Sequence, residues 1–188
     1  MITRRSLILG LAAAMATPGA ALARKDAQPF VLDPKYQPQS VNFASGYAPG
    51  TVVVDPKNRF LYLMESLGVA RRYGVGVGRA GLAWSGTATV ARKAKWPRWK
   101  PTANMIRRDP GKYGKYVEGM PGGRGNPLGS RALYLYRGGM DTYYRIHGTT
   151  QPWTIGRAVS NGCIRMLNEH VSDLYERVPV GATVVVLG

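Results

Sequence analysis

The sequence predicts a mainly β fold: one domain with a single C-terminal helix and a long loop. Three observations predict it. There are 24 Gly and 13 Pro among 188 residues, which implies many turns and suits short strands better than a helical bundle. Most apolar segments are short, β-branched or alternating, and they end on Gly, Pro, Asn or Asp. Only one stretch of any length, near the C-terminus, carries apolar residues at helical spacing. The length suits one domain, and an apolar share of 45% supplies a sizeable core.

Residues 24–50 mix Pro, Gln and charge and read as an extended arm along the domain. Regular structure is expected from Thr51, so the domain spans 51–188. Residues 51–54 are β-branched, and Asp55-Pro56-Lys57-Asn58 makes a turn. In the next strand, 59–65, Phe60, Tyr62 and Met64 alternate with Leu61 and Leu63. Both faces are apolar, so the strand is central. Leu67-Gly68 leads into a strand over 69–77, and another follows over 87–95. These four are expected to form an antiparallel meander.

Residues 96–131 break the pattern. Thr102 is placed to cap one or two helical turns over 102–108, and a Gly/Pro-rich passage runs over 119–129. A loop this long in a compact domain is functional or disordered, and its Trp and Tyr content weighs against disorder. It reads as a wall or lid over a groove; the plain alternative is a decorated surface loop. Residues 132–136 and 142–147 then form a hairpin. On its second strand Tyr143, Arg145 and His147 share one face, and Tyr144 and Ile146 the other. Residues 163–166 form a strand with Cys163 and Arg165 outward and Ile164 and Met166 inward. Asn168 reads as the N-cap of a helix through 178, with Val171, Leu174, Tyr175 and Val178 on the sheet and His170 at the surface. A final strand covers 182–187.

Residues 1–23 read as a signal peptide. Arg4 and Arg5 form the basic start, residues 7–16 are an apolar run too short for a bilayer span, and Ala21-Leu22-Ala23 fits a cleavage site. Thr3-Arg4-Arg5-Ser6-Leu7 also partly matches a twin-arginine signal, which leaves both export routes open. Cleavage lowers the net charge from +16 to +14 and leaves no transmembrane anchor in the mature chain. A strongly basic chain seeks anionic partners. Residues 96–100, with Arg92, Lys93 and Lys95, have the aromatics among cations that bind single-stranded nucleic acid. Export instead favours an envelope polymer or anionic lipid, and no nucleic acid.

The one cysteine, Cys163, cannot form an internal disulfide. Free cysteines are more often buried and inert than reactive. Its context opposes that reading: Ser160-Asn161-Gly162-Cys163-Ile164-Arg165 follows Arg145-Ile146-His147-Gly148, and fifteen residues separate His147 from Cys163. An imidazole can take the thiol proton and leave a nucleophilic sulfur. Amides of Gly162 and Cys163 could hold an oxyanion, Ser160 or Asn161 could orient His147, and Arg165 could hold a substrate carboxylate. One Cys and two His are poor ligand numbers for zinc. The Gly-rich segments lack a phosphate-loop ending. No metal or cofactor is expected.

His147-Gly148-Thr149 followed by Ser160-Asn161-Gly162-Cys163-Ile164-Arg165-Met166 resembles the signature of the L,D-transpeptidase (YkuD-type) catalytic domain. The resemblance extends over about residues 50–188. It departs at Asn161, where many relatives carry His or Gln. It implies a β-sandwich-like domain and a peptidoglycan substrate. Cys163 would attack the third residue of a stem tetrapeptide and expel D-alanine, with His147 as base and Ser160 fixing the imidazole through its carbonyl. Gly162 and Cys163 would form the oxyanion site, and Asn161, Gly148, Thr149 and Arg165 would line the pocket. The thioester would pass to an amine, giving a 3→3 cross-link or attachment to an envelope-protein lysine. Water as acceptor would make an L,D-carboxypeptidase or amidase instead. A non-catalytic basic peptidoglycan-binding module is the third reading, and the intact Cys163/His147 pair weighs against it.

Overall fold

The computed structural model describes residues 30–44 and 46–188. The expected signal segment, 1–23, and the first residues of the arm lie outside these. The rest of the arm is more regular than expected. Asp33 caps one turn of 3-10 helix at Pro34–Tyr36, and Gln39–Asn42 form a strand, β1. Three strands follow: β2 (Val52–Asp55), β3 (Phe60–Ser66) and β4 (Val69–Gly74). They form an antiparallel meander, and β1 pairs with the outer edge of β4. The expectation that regular structure begins at Thr51 is therefore corrected: the arm supplies an edge strand whose backbone needs β4 as partner.

The fourth expected strand does not extend the meander. After β5 (Val77–Gly78), β6 (Gly86–Lys95) sits on the far side of β11 (Thr183–Val186), which lies between β2 and β6. β11 runs parallel to β2 and antiparallel to β6. Val52, Val53 and Val54 are fully buried, so β2 has both faces and both edges covered. β7 (Arg131–Arg137), β8 (Met140–His147) and the two-residue β10 (Ile164–Arg165) complete a nine-stranded sheet. β9 (Ala158–Ser160) pairs with β5 in a small second sheet. The sheet closes on itself: Gly76, after β4, exchanges both backbone hydrogen bonds with Arg165 of β10, at 2.9 and 2.7 Å. One core accordingly gathers Tyr73 of β4, Val184 of β11 and Ile146 of β8. The mainly β expectation holds, with a C-terminal helix and a long loop.

The helix, α3 below, spans Asn168–Arg177 and buries Val171 and Leu174 on the sheet. Two expectations fail here. Leu167, not Asn168, occupies the cap position. The Asn168 side chain instead turns outward from the helix, accepting from the Ser130 amide at 3.0 Å and donating to the Thr149 carbonyl at 3.2 Å. His170 is buried, only 4% exposed, because it precedes Leu174 by four residues and shares its face. Its ring centroid lies 6.4 Å from that of Tyr73.

Residues 96–131 are ordered. Thr102 caps α1 (Ala103–Arg108) by accepting from the Met105 amide, and Asp109 caps α2 (Pro110–Tyr113). In chain order the C-terminal helix is then α3. Trp99 packs against Tyr113 and Tyr116, with centroids at 6.3 and 5.6 Å. These contacts between half-buried rings tie the segment together.

Candidate active site

β10 runs parallel to β8, with Arg165 opposite His147 and Ile164 opposite Ile146. Cys163, one step before Ile164, comes level with Arg145, two residues before His147 on the same strand. Ile146, Ile164 and Met166 are buried and anchor both strands in the core. Cys163 and His147 line one cleft of about 280 Å³, floored also by Ser160 and Arg165 and walled by Trp99, Tyr113 and Tyr116. A second cleft reaches Cys163 from the other side, lined by Thr102, Arg107, Arg108, Thr142 and Tyr143. Met105, Asn161 and Cys163 belong to both. An Arg108–Asn161 hydrogen bond of 3.4 Å crosses the boundary between them.

His147 is buried, with Nδ1 2.6 Å from the Gly148 carbonyl oxygen. A carbonyl only accepts, so Nδ1 carries the proton and Nε2 keeps the basic lone pair. Burial lowers the imidazole pKa to about 4, the Gly148 carbonyl opposes that shift, and the charges of Arg165 and Arg145 add to it. Cys163 is half-buried, and its thiol donates weakly to the Tyr143 carbonyl at 3.7 Å. Burial pushes the thiol pKa up. The Arg145 amide and the charges of Arg145 and Arg165 pull it back, and Asp141 again raises it. At neutral pH the pair therefore rests as thiol and neutral imidazole, and no hydrogen bond joins them among the described residues.

Ser160 does not orient the imidazole. Its carbonyl accepts from the Arg79 amide at 3.1 Å, and its buried hydroxyl donates to the Cys163 carbonyl at 2.6 Å. The same hydroxyl accepts from the Gly162 amide at 3.1 Å, which engages one of the two N–H groups expected at an oxyanion site. Ser160 thus shapes the turn before Cys163, and the adjacent Gly148 carbonyl takes the role expected of it. Gly162 must be glycine: φ is +121°, and a Cβ would come within 2.5 Å of the Tyr144 ring. Gly148 is equally enclosed, since a Cβ there would meet Asn168 Oδ1 at 2.2 Å. Thr149 lines the cleft but is buried, its hydroxyl accepting from the Gln151 amide at 3.0 Å. Arg165 Nη1 bonds Gln151 Oε1 at 3.0 Å.

Sequence reasoning missed the Tyr143 carbonyl beside the thiol. Tyr143 has φ +61°, a conformation its side chain disfavours, and the sequence carries no signal for it.

The depressed imidazole has a consequence for stability. Between pH about 4 and about 6.5 the unfolded chain binds a proton at residue 147 that the folded chain refuses. The stabilisation is fully present above about 6.5 and is lost as pH falls towards 4, on the order of 3 kcal/mol. His170, also lowered by burial, acts in the same direction. Melting temperatures should fall across this window and fall less in His147→Gln; an equal slope in that variant would contradict the assignment.

The profile of the YkuD L,D-transpeptidase catalytic domain matches residues 49–186. The chain belongs to the YkuD family of L,D-transpeptidase catalytic domains. It is 36% identical over 155 residues to the Probable L,D-transpeptidase ErfK/SrfK of Salmonella typhimurium, covering 80% of this chain and 48% of that protein. It is 33% identical to the Probable L,D-transpeptidase YbiS of Escherichia coli, covering 78% and 47%. The chain thus spans about half the length of these curated relatives. An L,D-transpeptidase structure from Mycobacterium smegmatis shares the YkuD fold at 20% identity, with a TM-score of 0.53 over 73% of this chain and 58% of that one. A crystal structure from Brucella melitensis, described as a probable carnitine operon oxidoreductase, is 62% identical, with a TM-score of 0.58 over 83% of this chain and 96% of that one. The Cys163/His147 cleft falls inside the YkuD match.

Proposed function

We propose that the protein is an exported peptidoglycan L,D-transpeptidase that transfers a stem-peptide acyl group through Cys163. The observation that carries this is the meeting of two clefts at one thiol, which suits a two-substrate transfer. The donor tetrapeptide occupies the cleft holding His147, where Arg165 offers a cation to a carboxylate. As the sulfur attacks the carbonyl carbon of the third residue, its proton passes to Nε2 of His147. The Cys163 amide holds the oxyanion. Collapse breaks the bond to D-alanine, His147 returns the proton to the leaving amine, and a thioester remains. An amine acceptor then enters by the second cleft, loses its proton to His147 and takes the acyl group, restoring the thiol. The acceptor is a diamino-acid side chain or an envelope-protein lysine. Residues 1–23 direct export to the periplasm or cell envelope. Among the described residues, no helix is long and apolar enough to cross a membrane.

The test incubates the protein with purified disaccharide-tetrapeptide, with and without added amine, followed by mass spectrometry. Cross-linked dimer or amine adduct with loss of D-alanine is expected. Tripeptide alone, whatever the acceptor, would make it a hydrolase; no product at all would refute the reading.

A further inference from the structure

The pairing of β7 with β8 breaks where β8 passes the thiol. Tyr134 pairs with Arg145 and Tyr136 with Asp141, so two steps along β7 face four along β8. The surplus is a bulge at 142–144, with Tyr143 in the left-handed region. An outward bulge of this kind needs something to hold it. Asp141 and Arg145, at its two ends, form a two-pronged ion pair with both N–O distances at 2.7 Å. Asp141 also accepts from the Tyr143 amide at 2.8 Å. Thr142 donates to the Leu135 carbonyl at 2.6 Å and accepts from the Tyr144 amide at 3.2 Å. The Arg145 guanidinium lies over the Tyr134 ring at 4.4 Å, and Arg92 covers the same ring at 3.5 Å.

The bulge presents two backbone groups to Cys163. The Tyr143 carbonyl accepts from the thiol at 3.7 Å. Continuing the β8–β10 register one step puts Arg145 opposite Cys163, and its amide counters the effect of burial on the thiol. One serves the protonated sulfur and the other the ionised one. We propose that Asp141 and Arg145 are positioning residues whose ion pair clamps the β8 bulge and so holds these two backbone groups against the Cys163 sulfur. They touch no reacting atom with their side chains. The idea rests on Cys163 being the nucleophile proposed above.

Charge alone and the clamp make opposite forecasts. The charged groups facing the thiol are Arg145 and Asp141 of β8 and Arg165 of β10, with His147 and Lys112 of α2 in the same cleft and Arg107 and Arg108 of α1 lining the other. Removing the Asp141 carboxylate would by charge alone make the thiol ionise more easily. Releasing the bulge withdraws the Arg145 amide and makes ionisation harder. Release also withdraws the Tyr143 carbonyl, but that contact is long and weak at 3.7 Å, and the amide opposes burial more strongly than Asp141 assists it, so release should make ionisation harder.

The experiment is alkylation of the single cysteine by iodoacetamide from pH 6 to 10, read by intact mass, with melting measured alongside. Asp141→Ala and Arg145→Met should move the alkylation titration upward by about one pH unit. Arg145→Lys, which keeps the charge and loses the fork, should move the same way. If Arg145→Met does not fold, Asp141→Ala decides. A downward or absent shift in folded Asp141→Ala, or an Arg145→Lys that titrates like the parent, overturns the proposal. The readout uses no peptidoglycan substrate. Expected shifts without any turnover would sink the proposed function and leave the clamp standing; turnover with no shift would do the reverse.

Discussion

Cys163→Ala is expected to abolish acyl transfer and leave the fold intact. The chain has no other thiol to substitute. Packing at this position is carried by the neighbours, since Ile164 and Met166 are buried and Cys163 is half-exposed to two clefts. The thiol makes one long contact, 3.7 Å to the Tyr143 carbonyl, whose loss costs little. Alanine keeps the backbone bonds of the strand end, so the melting temperature should stay within about 4 °C of the parent. The parent, mixed with donor peptide, should show an acyl adduct by intact mass, and the variant none. Cross-linking retained by Cys163→Ala would refute covalent catalysis.

His147→Ala should slow acylation by about 10²–10⁴-fold, the usual worth of a positioned general base. The resting pair is neutral on both sides, so the parent does not rely on a standing thiolate. Its base stays unprotonated down to pH about 4, and acylation should persist well into the acid range. Without the imidazole the sulfur must ionise by itself. The residual rate should then climb about tenfold per pH unit below the thiol pKa, as the thiolate fraction does. A variant that acylates at the parent rate, or whose rate is flat from pH 6 to 8, would remove His147 from this role.

The features legible in the sequence are local or chemically rare. The β2–β3 hairpin shows because Asp55-Pro56-Lys57-Asn58 separates a β-branched run from an alternating one. The Thr102 cap shows because a single side chain makes it. Cys163 and His147 stand out as a lone thiol and an imidazole, each beside glycine. What stayed hidden depends on distant partners. Nothing near Gly86–Lys95 indicates that β11, some ninety residues on, would lie beside it. Asn168 reads as a cap because Asn caps helices, yet its side chain serves Ser130 and Thr149 from other elements. His170 reads as surface by type and as core by its spacing to Leu174. The sequence around the thiol suggests Ser160, across the loop, as the imidazole's partner, yet the next residue's carbonyl is nearer.

The place of β11 also bears on how the protein is made. Without residues 183–186 the large sheet opens between β2 and β6, leaving β1, β4, β3 and β2 in one run and β6, β7, β8 and β10, with Cys163, in the other, in contact only at the far side through Gly76 and Arg165. A ribosome delivers Cys163 and His147 before it delivers the strand that lies between β2 and β6. Until then β2 and β6 each expose an unpaired edge of backbone donors and acceptors, open to pairing with a neighbouring chain. Joining the halves should therefore await β11 and, with such distant pairings, take milliseconds to seconds, on the order expected for β proteins of high contact order. A shielding factor that covers those edges would raise the yield of active protein more than one that speeds the early hairpins.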